Sequence, residues 1–151
     1  MKSDYANQIK ALLSSKAFFD AKKKLFTKKA ESNLSLKDLL YLRAVTHRYI
    51  GETKLALENL DQLISNFPDY ARAYQELGYN FMKINQEEKA KLAFTRAANL
   101  NPSLHASWMM LVKLSNPSSE IRKLAESNIL YLKSLAPELK SVLSFIYEKK
   151  L

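Results

Sequence analysis

Residues 71–104 read ARAYQELGYNFMKINQEEKAKLAFTRAANLNPSL, and the fold is decided there. Tyr74, Leu77, Gly78 and Phe81 recur at i, i+3, i+4 and i+7, which places them on one face of a helix over Ala71–Ile84. Ala90, Phe94 and Ala97 keep the same rule over a second helix, Gln86–Leu100. Asn101-Pro102 ends it, because the residue before a proline is pushed out of the helical region. Small Gly78 and Ala90 fall where two antiparallel helices approach closely, and Tyr74, Phe81 and Phe94 fill the space on either side. Pro68 precedes Pro102 by the full length of the stretch just quoted, so the period shows in the helix stops as well as in the apolar pattern.

This order of side chains resembles the tetratricopeptide repeat, a helix–turn–helix unit of about 34 residues. The repeat's aromatic, Leu-Gly pair, second aromatic, Ala, Phe, Ala and closing Pro are met by Tyr74, Leu77-Gly78, Phe81, Ala90, Phe94, Ala97 and Pro102. The resemblance implies an all-α fold. It would be a right-handed α-α superhelix, a solenoid of about four helix pairs plus a C-terminal helix, with first helices on a concave side and second helices on a convex side.

Working outward, residues 37–70 form a second repeat. Ser35 caps its first helix, with Asp38 three places on. Leu40, Ala44, Ala56, Leu60 and Leu63 take the packing places, Gly51 makes the turn and Pro68 closes the unit. Arg43 and His47 stand where Leu and an aromatic are usual. Residues 2–35 read as a degenerate first repeat of two helices, with Tyr5, Ile9, Leu12, Phe18, Ala21 and Leu25 inward and Lys28 at a place for a small apolar residue. Residues 105–137 make a fourth, with Trp108, Leu111, Val112, Ala125, Ile129 and Leu132 inward. There Asn116 is the expected cap and Pro117 the first helical residue. A terminal helix follows over 137–151, either a solvating cap or the first half of a further repeat; its closing Glu-Lys-Lys-Leu suits a helix C-terminus. The expectation is nine helices in one domain over residues 1–151.

The bulk numbers agree. The chain has 151 residues, 47% hydrophobic and 26% charged, with two glycines and no period-2 runs. It has no cysteine, which removes disulfides, thiolate nucleophiles and zinc–thiolate sites from this chain and fits a reducing, cytoplasmic setting. The opening MKSDYANQIKALLSS is broken by charge and amide groups and is not expected to be a signal peptide. No apolar run approaches the ~18 residues of a membrane span.

Chemistry-bearing patterns are missing. A phosphate-cradling loop needs several glycines, and Gly51 and Gly78 stand alone with structural work to do. His47 and His105 lack a second His or a carboxylate at i+3 or i+4, so His47 reads as a packing residue and His105 as a surface one. Glu87-Glu88 most simply begin the helix behind Asn85. No metal, cofactor or catalytic residue is expected, and the chain reads as a non-catalytic scaffold for protein–protein interaction.

On the solenoid picture, residues just off the packing stripe of each first helix face the groove. These are Tyr41, Val45, Arg48 and Tyr49 in the second repeat; Arg72, Gln75, Tyr79, Met82 and Lys83 in the third; and Met109 and Lys113 in the fourth. Aromatic and Met side chains flanked by cations suit a peptide segment with acidic groups. Some tetratricopeptide domains clamp acidic chaperone tails with Lys and Asn at set places. Those places hold Ala6, Lys10, Tyr41, Val45, Gln75 and Tyr79 here, so that partner is disfavoured.

The net charge of +9 is concentrated at the ends: residues 1–33 hold eight lysines against three acids. KAFFDAKKKLFTKK, with Lys24 and Lys28 at i, i+4 and Phe18, Phe19, Leu25 and Phe26 beside them, offers an alternative as a basic amphipathic helix on an anionic membrane surface. Nucleic acid is disfavoured, because interleaved exposed aromatics are lacking. A homo-oligomer through Leu139, Leu143 and Ile146 of the last helix is a further option. Finally, NFPDYARAYQELG and AKLAFTRAANLNPSLHASWMML are similar to the repeat array of bacterial tetratricopeptide-sulfotransferase proteins. That resemblance implies a substrate-recruiting or regulatory region of a longer polypeptide. The transferase's phosphate loop has no counterpart here.

Overall fold

The computed structural model describes residues 2–149, and among these there are ten helices and no strand. They are α1 (Lys2–Ser14), α2 (Phe18–Leu25), α3 (Lys28–Asn33), α4 (Leu36–Ile50), α5 (Thr53–Asn66), α6 (Ala71–Lys83), α7 (Glu87–Leu100), α8 (His105–Leu114), α9 (Glu120–Ser134) and α10 (Pro137–Lys149). The all-α fold class is as expected. The last two residues of the closing Glu-Lys-Lys-Leu lie outside the described part. The chain gathers into two compact units, one ending at Pro68 and one beginning at Asp69.

In the first unit, Tyr5, Ile9, Ala21, Leu25, Ala30, Leu34, Leu39 and Leu42 make one buried cluster, with Leu12, Leu13 and Tyr41 packed against it. The Tyr5 hydroxyl donates to the Lys24 carbonyl at 2.8 Å, which satisfies the buried phenol. The α4 and α5 helices form an antiparallel pair around Ala44, Ala56, Leu60 and Leu63. The Ser35 hydroxyl accepts the Asp38 N–H at 3.1 Å and donates to the Asp38 carboxylate at 2.8 Å, so the expected cap is formed.

One expectation for this unit is corrected. The second helix of the first repeat is broken in two, giving ten helices rather than nine. Its first half stops at Leu25. Phe26 and Thr27 leave the helix, and the Thr27 side chain accepts the Ala30 N–H at 3.2 Å to start α3. Thr is a good N-cap and a mediocre interior residue. The break also turns Lys28 and Lys29 to solvent and leaves Ala30 in the small, buried place.

In the second unit, α6 and α7 pack most closely at Gly78. A Cβ built there would lie 2.7 Å from Cζ of Phe94 and 2.8 Å from both Cε atoms, so the ring of Phe94 stands on bare backbone. Phe94 is wholly buried, and Tyr79 meets it edge-on at 5.2 Å. The core continues through Ala90, Ala98, Trp108, Leu111, Ala125, Ile129 and Leu132. The Trp108 indole N–H donates to the Pro102 carbonyl at 2.9 Å.

Three details differ from the sequence reading. On α6 a second stripe, Ala73, Glu76 and Asn80, is buried, whereas Tyr74, Leu77 and Phe81 are only partly so. The helix is therefore covered on more than the side facing α7. The α9 helix starts at Glu120, with Ser119 as its cap. Asn116-Pro117 forms a turn closed by Ser119 N–H to the Asn116 carbonyl at 3.0 Å, since Ser119 can accept the Arg122 N–H. Asn85 does not cap α7. It lies in the left-handed region, and Gln86 precedes the helix with no side-chain cap.

That conformation recurs. Lys16 (φ 62°), Gly51 (φ 90°) and Asn85 (φ 57°) are the positive-φ residues among those described, and each lies in the turn inside a helix pair. Glycine reaches this region at no steric cost, Asn at little, and Lys only under constraint.

Candidate functional site

The predicted groove residues divide by what surrounds them. On α4, Val45 is buried and Tyr41 packs against the core of the first unit. Arg48 and Tyr49 reach further out. The Arg48 guanidinium lies over the Tyr49 ring at 4.3 Å, and that ring stacks on Phe18 at 4.7 Å with planes 1° apart. Tyr49 is thus an exposed aromatic already ordered by a ring on one face and a cation.

Below it lies a polar cluster that the sequence reading did not assemble. Glu52, just past the turn glycine, receives Lys22 Nζ at 2.6 Å on one oxygen and faces His47 Nδ1 at 2.6 Å with the other. Both partners hold its carboxyl below its ordinary range, Lys22 first and His47 second. His47 is buried, as expected of a packing residue, but it does meet a carboxylate, at i+5 across the turn rather than at i+3 or i+4. Phe26 meets its ring edge-on at 5.3 Å. Arg43 completes the cluster: its guanidinium donates to the Leu25 carbonyl at 3.1 and 3.3 Å and to Glu31 at 3.3 Å, and lies over Phe26 at 4.5 Å. The two departures from the repeat pattern in this helix, Arg43 and His47, both face the broken helix α2–α3. Lys22 and Lys24 are likewise occupied, the latter over the Tyr5 ring at 5.4 Å, whereas Lys23, Lys28, Lys29 and Phe19 are exposed.

In the second unit, Tyr79 and Met82 pack against the core, which corrects the expectation that they are free of the packing pattern. Gln75 accepts a hydrogen bond from the Ser107 hydroxyl at 2.9 Å. Ser107 is buried, and this bond fixes α6 beside α8. On these two tied helices Lys83, Met109 and Lys113 are exposed. Arg72 is partly exposed, and its Nε donates to Glu148 of α10 at 2.7 Å. Ser107 and Glu148 were not foreseen. A small buried residue in the place of a packing alanine was the available signal for the first, and nothing in the sequence announced the second.

Among the described residues no three His, Asp or Glu side chains come together as a metal could require, and no helix is long and apolar enough to cross a membrane. His105 is exposed.

Comparison with known protein families matches residues 38–70 and residues 71–104, each to a tetratricopeptide-repeat model. These are the two repeats that Pro68 and Pro102 close. Comparison with curated proteins and with solved structures gave no match, so the likeness to the sulfotransferase subgroup has no support beyond the repeat itself. Such repeats serve in general as protein-binding scaffolds, through the surface that stacked helix pairs present. With the helix pairs α4–α5 and α6–α7 coinciding with the matched segments, the chain carries two tetratricopeptide repeats over residues 38–104.

Proposed function

We propose that the chain is a protein-interaction scaffold whose second unit takes a peptide segment carrying acidic groups on the surface of α6 and α8. The supporting observation is the Gln75–Ser107 bond. It holds the two first helices side by side, while Arg72, Lys83, Met109 and Lys113 on those helices reach solvent. Cations on long stems around an adaptable Met favour a ligand with carboxylates and some apolar surface. Tyr79, Met82 and Gln75 support that surface from beneath rather than forming it. In the first unit Arg48 and Tyr49 offer a second, smaller contact of the same kind.

A panel of fluorescein-labelled synthetic peptides of one length, half with Asp and Glu and half with Asn and Gln in their place, tests the reading. The acidic set should bind at low salt and the amide set should not. Lys83→Glu with Lys113→Glu should lose the acidic set while the melting temperature holds. Equal binding of both sets, or binding untouched by the double reversal, would sink the proposal.

A further inference from the structure

The helix α10 leaves much of its apolar side exposed. Leu139, Val142, Phe145 and Ile146 are exposed, while Leu143, Ser144, Tyr147 and Glu148 are partly covered. The covered side thus carries two apolar residues beside two polar ones, rather than the whole apolar stripe. Its tie to α6 is an ion pair between positions distant in the chain. Glu148 Oε1 accepts from Arg72 Nε at 2.7 Å, and Ser144 donates to the same carboxylate oxygen at 3.5 Å.

We propose that α10 is a resident ligand of the surface described above, and that the partner of this surface is an acidic amphipathic helix that takes the place of Glu148 at Arg72. The inference rests on the acidic-peptide reading and adds the shape of the ligand and a built-in competitor. The residue that α10 contacts is one of the cations on which that reading depends. Carboxylate on guanidinium is the charge-assisted pairing that an incoming acidic helix would repeat.

The ion pair itself is weak. Arg72 and Glu148 are 36% and 38% exposed, and pairs so open to water shift an equilibrium by less than about fivefold. A tethered ligand of low intrinsic affinity still competes, because its local concentration is high. The outcome is a surface that rejects weak acidic segments and yields to one with better apolar contacts.

The probe is α10 itself, the labelled peptide PELKSVLSFIYEK (residues 137–149), added to the full chain and followed by fluorescence anisotropy at low salt. The Glu148→Gln chain should bind it roughly two- to fivefold more tightly than the wild-type chain. Arg72→Gln should lose the gain. Arg72→Lys, which keeps the charge and drops the planar fork, should fall between them. A peptide carrying Gln in place of its penultimate Glu should bind less well to every chain. Circular dichroism confirms that each variant is folded. Equal affinity for the wild-type and Glu148→Gln chains, persistence of binding in Arg72→Gln, or absence of binding throughout would overturn the inference. If the acidic panel still binds through Lys83 and Lys113 while this peptide does not, only the resident-ligand inference falls. If the panel fails too, the acidic-peptide reading falls with it.

Discussion

The ring of Phe94 occupies the space that a side chain on residue 78 would need, with its Cζ 2.7 Å from the position of a Cβ. Helices α6 and α7 are therefore as close as they are because residue 78 is glycine. Alanine at 78 gains up to about 1 kcal/mol of helix propensity but overpacks a buried ring at a cost of about 1–3 kcal/mol. The expected net loss for Gly78→Ala is about 1 kcal/mol, and Gly78→Val, branched at the point of contact, should lose more. Thermal unfolding measures both. Phe94→Leu in the Gly78→Ala background should return part of the loss, and a melting temperature raised by Gly78→Ala alone would refute the steric account.

Arg43 stands where the repeat ordinarily has leucine, yet restoring leucine should weaken the protein. Arg43→Leu strips the Leu25 carbonyl of two donors at the break between α2 and α3 and releases Glu31. Hydrogen bonds to charged groups contribute about 1.5–3 kcal/mol, so the loss should be easily seen in urea unfolding. A gain in stability would show that the consensus residue is preferred for its own sake.

Glu52 links the first unit's stability to acid. Its carboxyl titrates below its ordinary range because the charged form is held by Lys22 and His47. The unfolded chain then takes up this proton more readily than the folded one. The contribution is present above the unfolded value and is lost as pH falls through the lower, folded one. Denaturation midpoints taken from pH 7 down to pH 3 should fall more steeply for the wild-type chain than for Glu52→Gln, whose curve lacks this component. Parallel curves would mean that the ion pairs are not felt in solution.

Gln75 separates a supporting role from a contacting one. Gln75→Ala leaves the buried Ser107 hydroxyl without its acceptor, which costs about 1–3 kcal/mol. The melting temperature should drop, and Gln75→Ala with Ser107→Ala should recover most of it. A variant that kept its stability and lost only peptide binding would place Gln75 in direct contact with the ligand.

The sequence disclosed the fold through features that act locally. Proline stops one period apart, the Ser35 cap, the turn at Gly51 and the Gly78–Phe94 contact each depend on side chains within one helix pair. The candidate site was less legible because groove and core positions alternate on the same helix. Tyr79 and Met82 differ from Lys83 only in how far their neighbours reach, which periodicity does not report. The Glu52–His47–Lys22 cluster crosses a turn and joins two separate helix pairs, and Arg72–Glu148 joins positions further apart still. Pairings of that range are set by how the helices pack and leave no mark in spacing. The break after Leu25 was hidden by the lysines around it, which suit a helix and a solvated turn equally well.

The left-handed residues at 16, 51 and 85 carry a consequence for comparing degenerate repeats. Each follows the last by one repeat length, to within a single position, even where the segment over residues 2–35 departs from the side-chain pattern and its second helix is split. Lysine at 16 holds a torsion that glycine and asparagine adopt easily, so the turn keeps one backbone geometry with three different residue types. In a degenerate repeat the torsion angle is thus the steadier ruler, and alignments anchored on it would assign correspondences that amino-acid similarity misses.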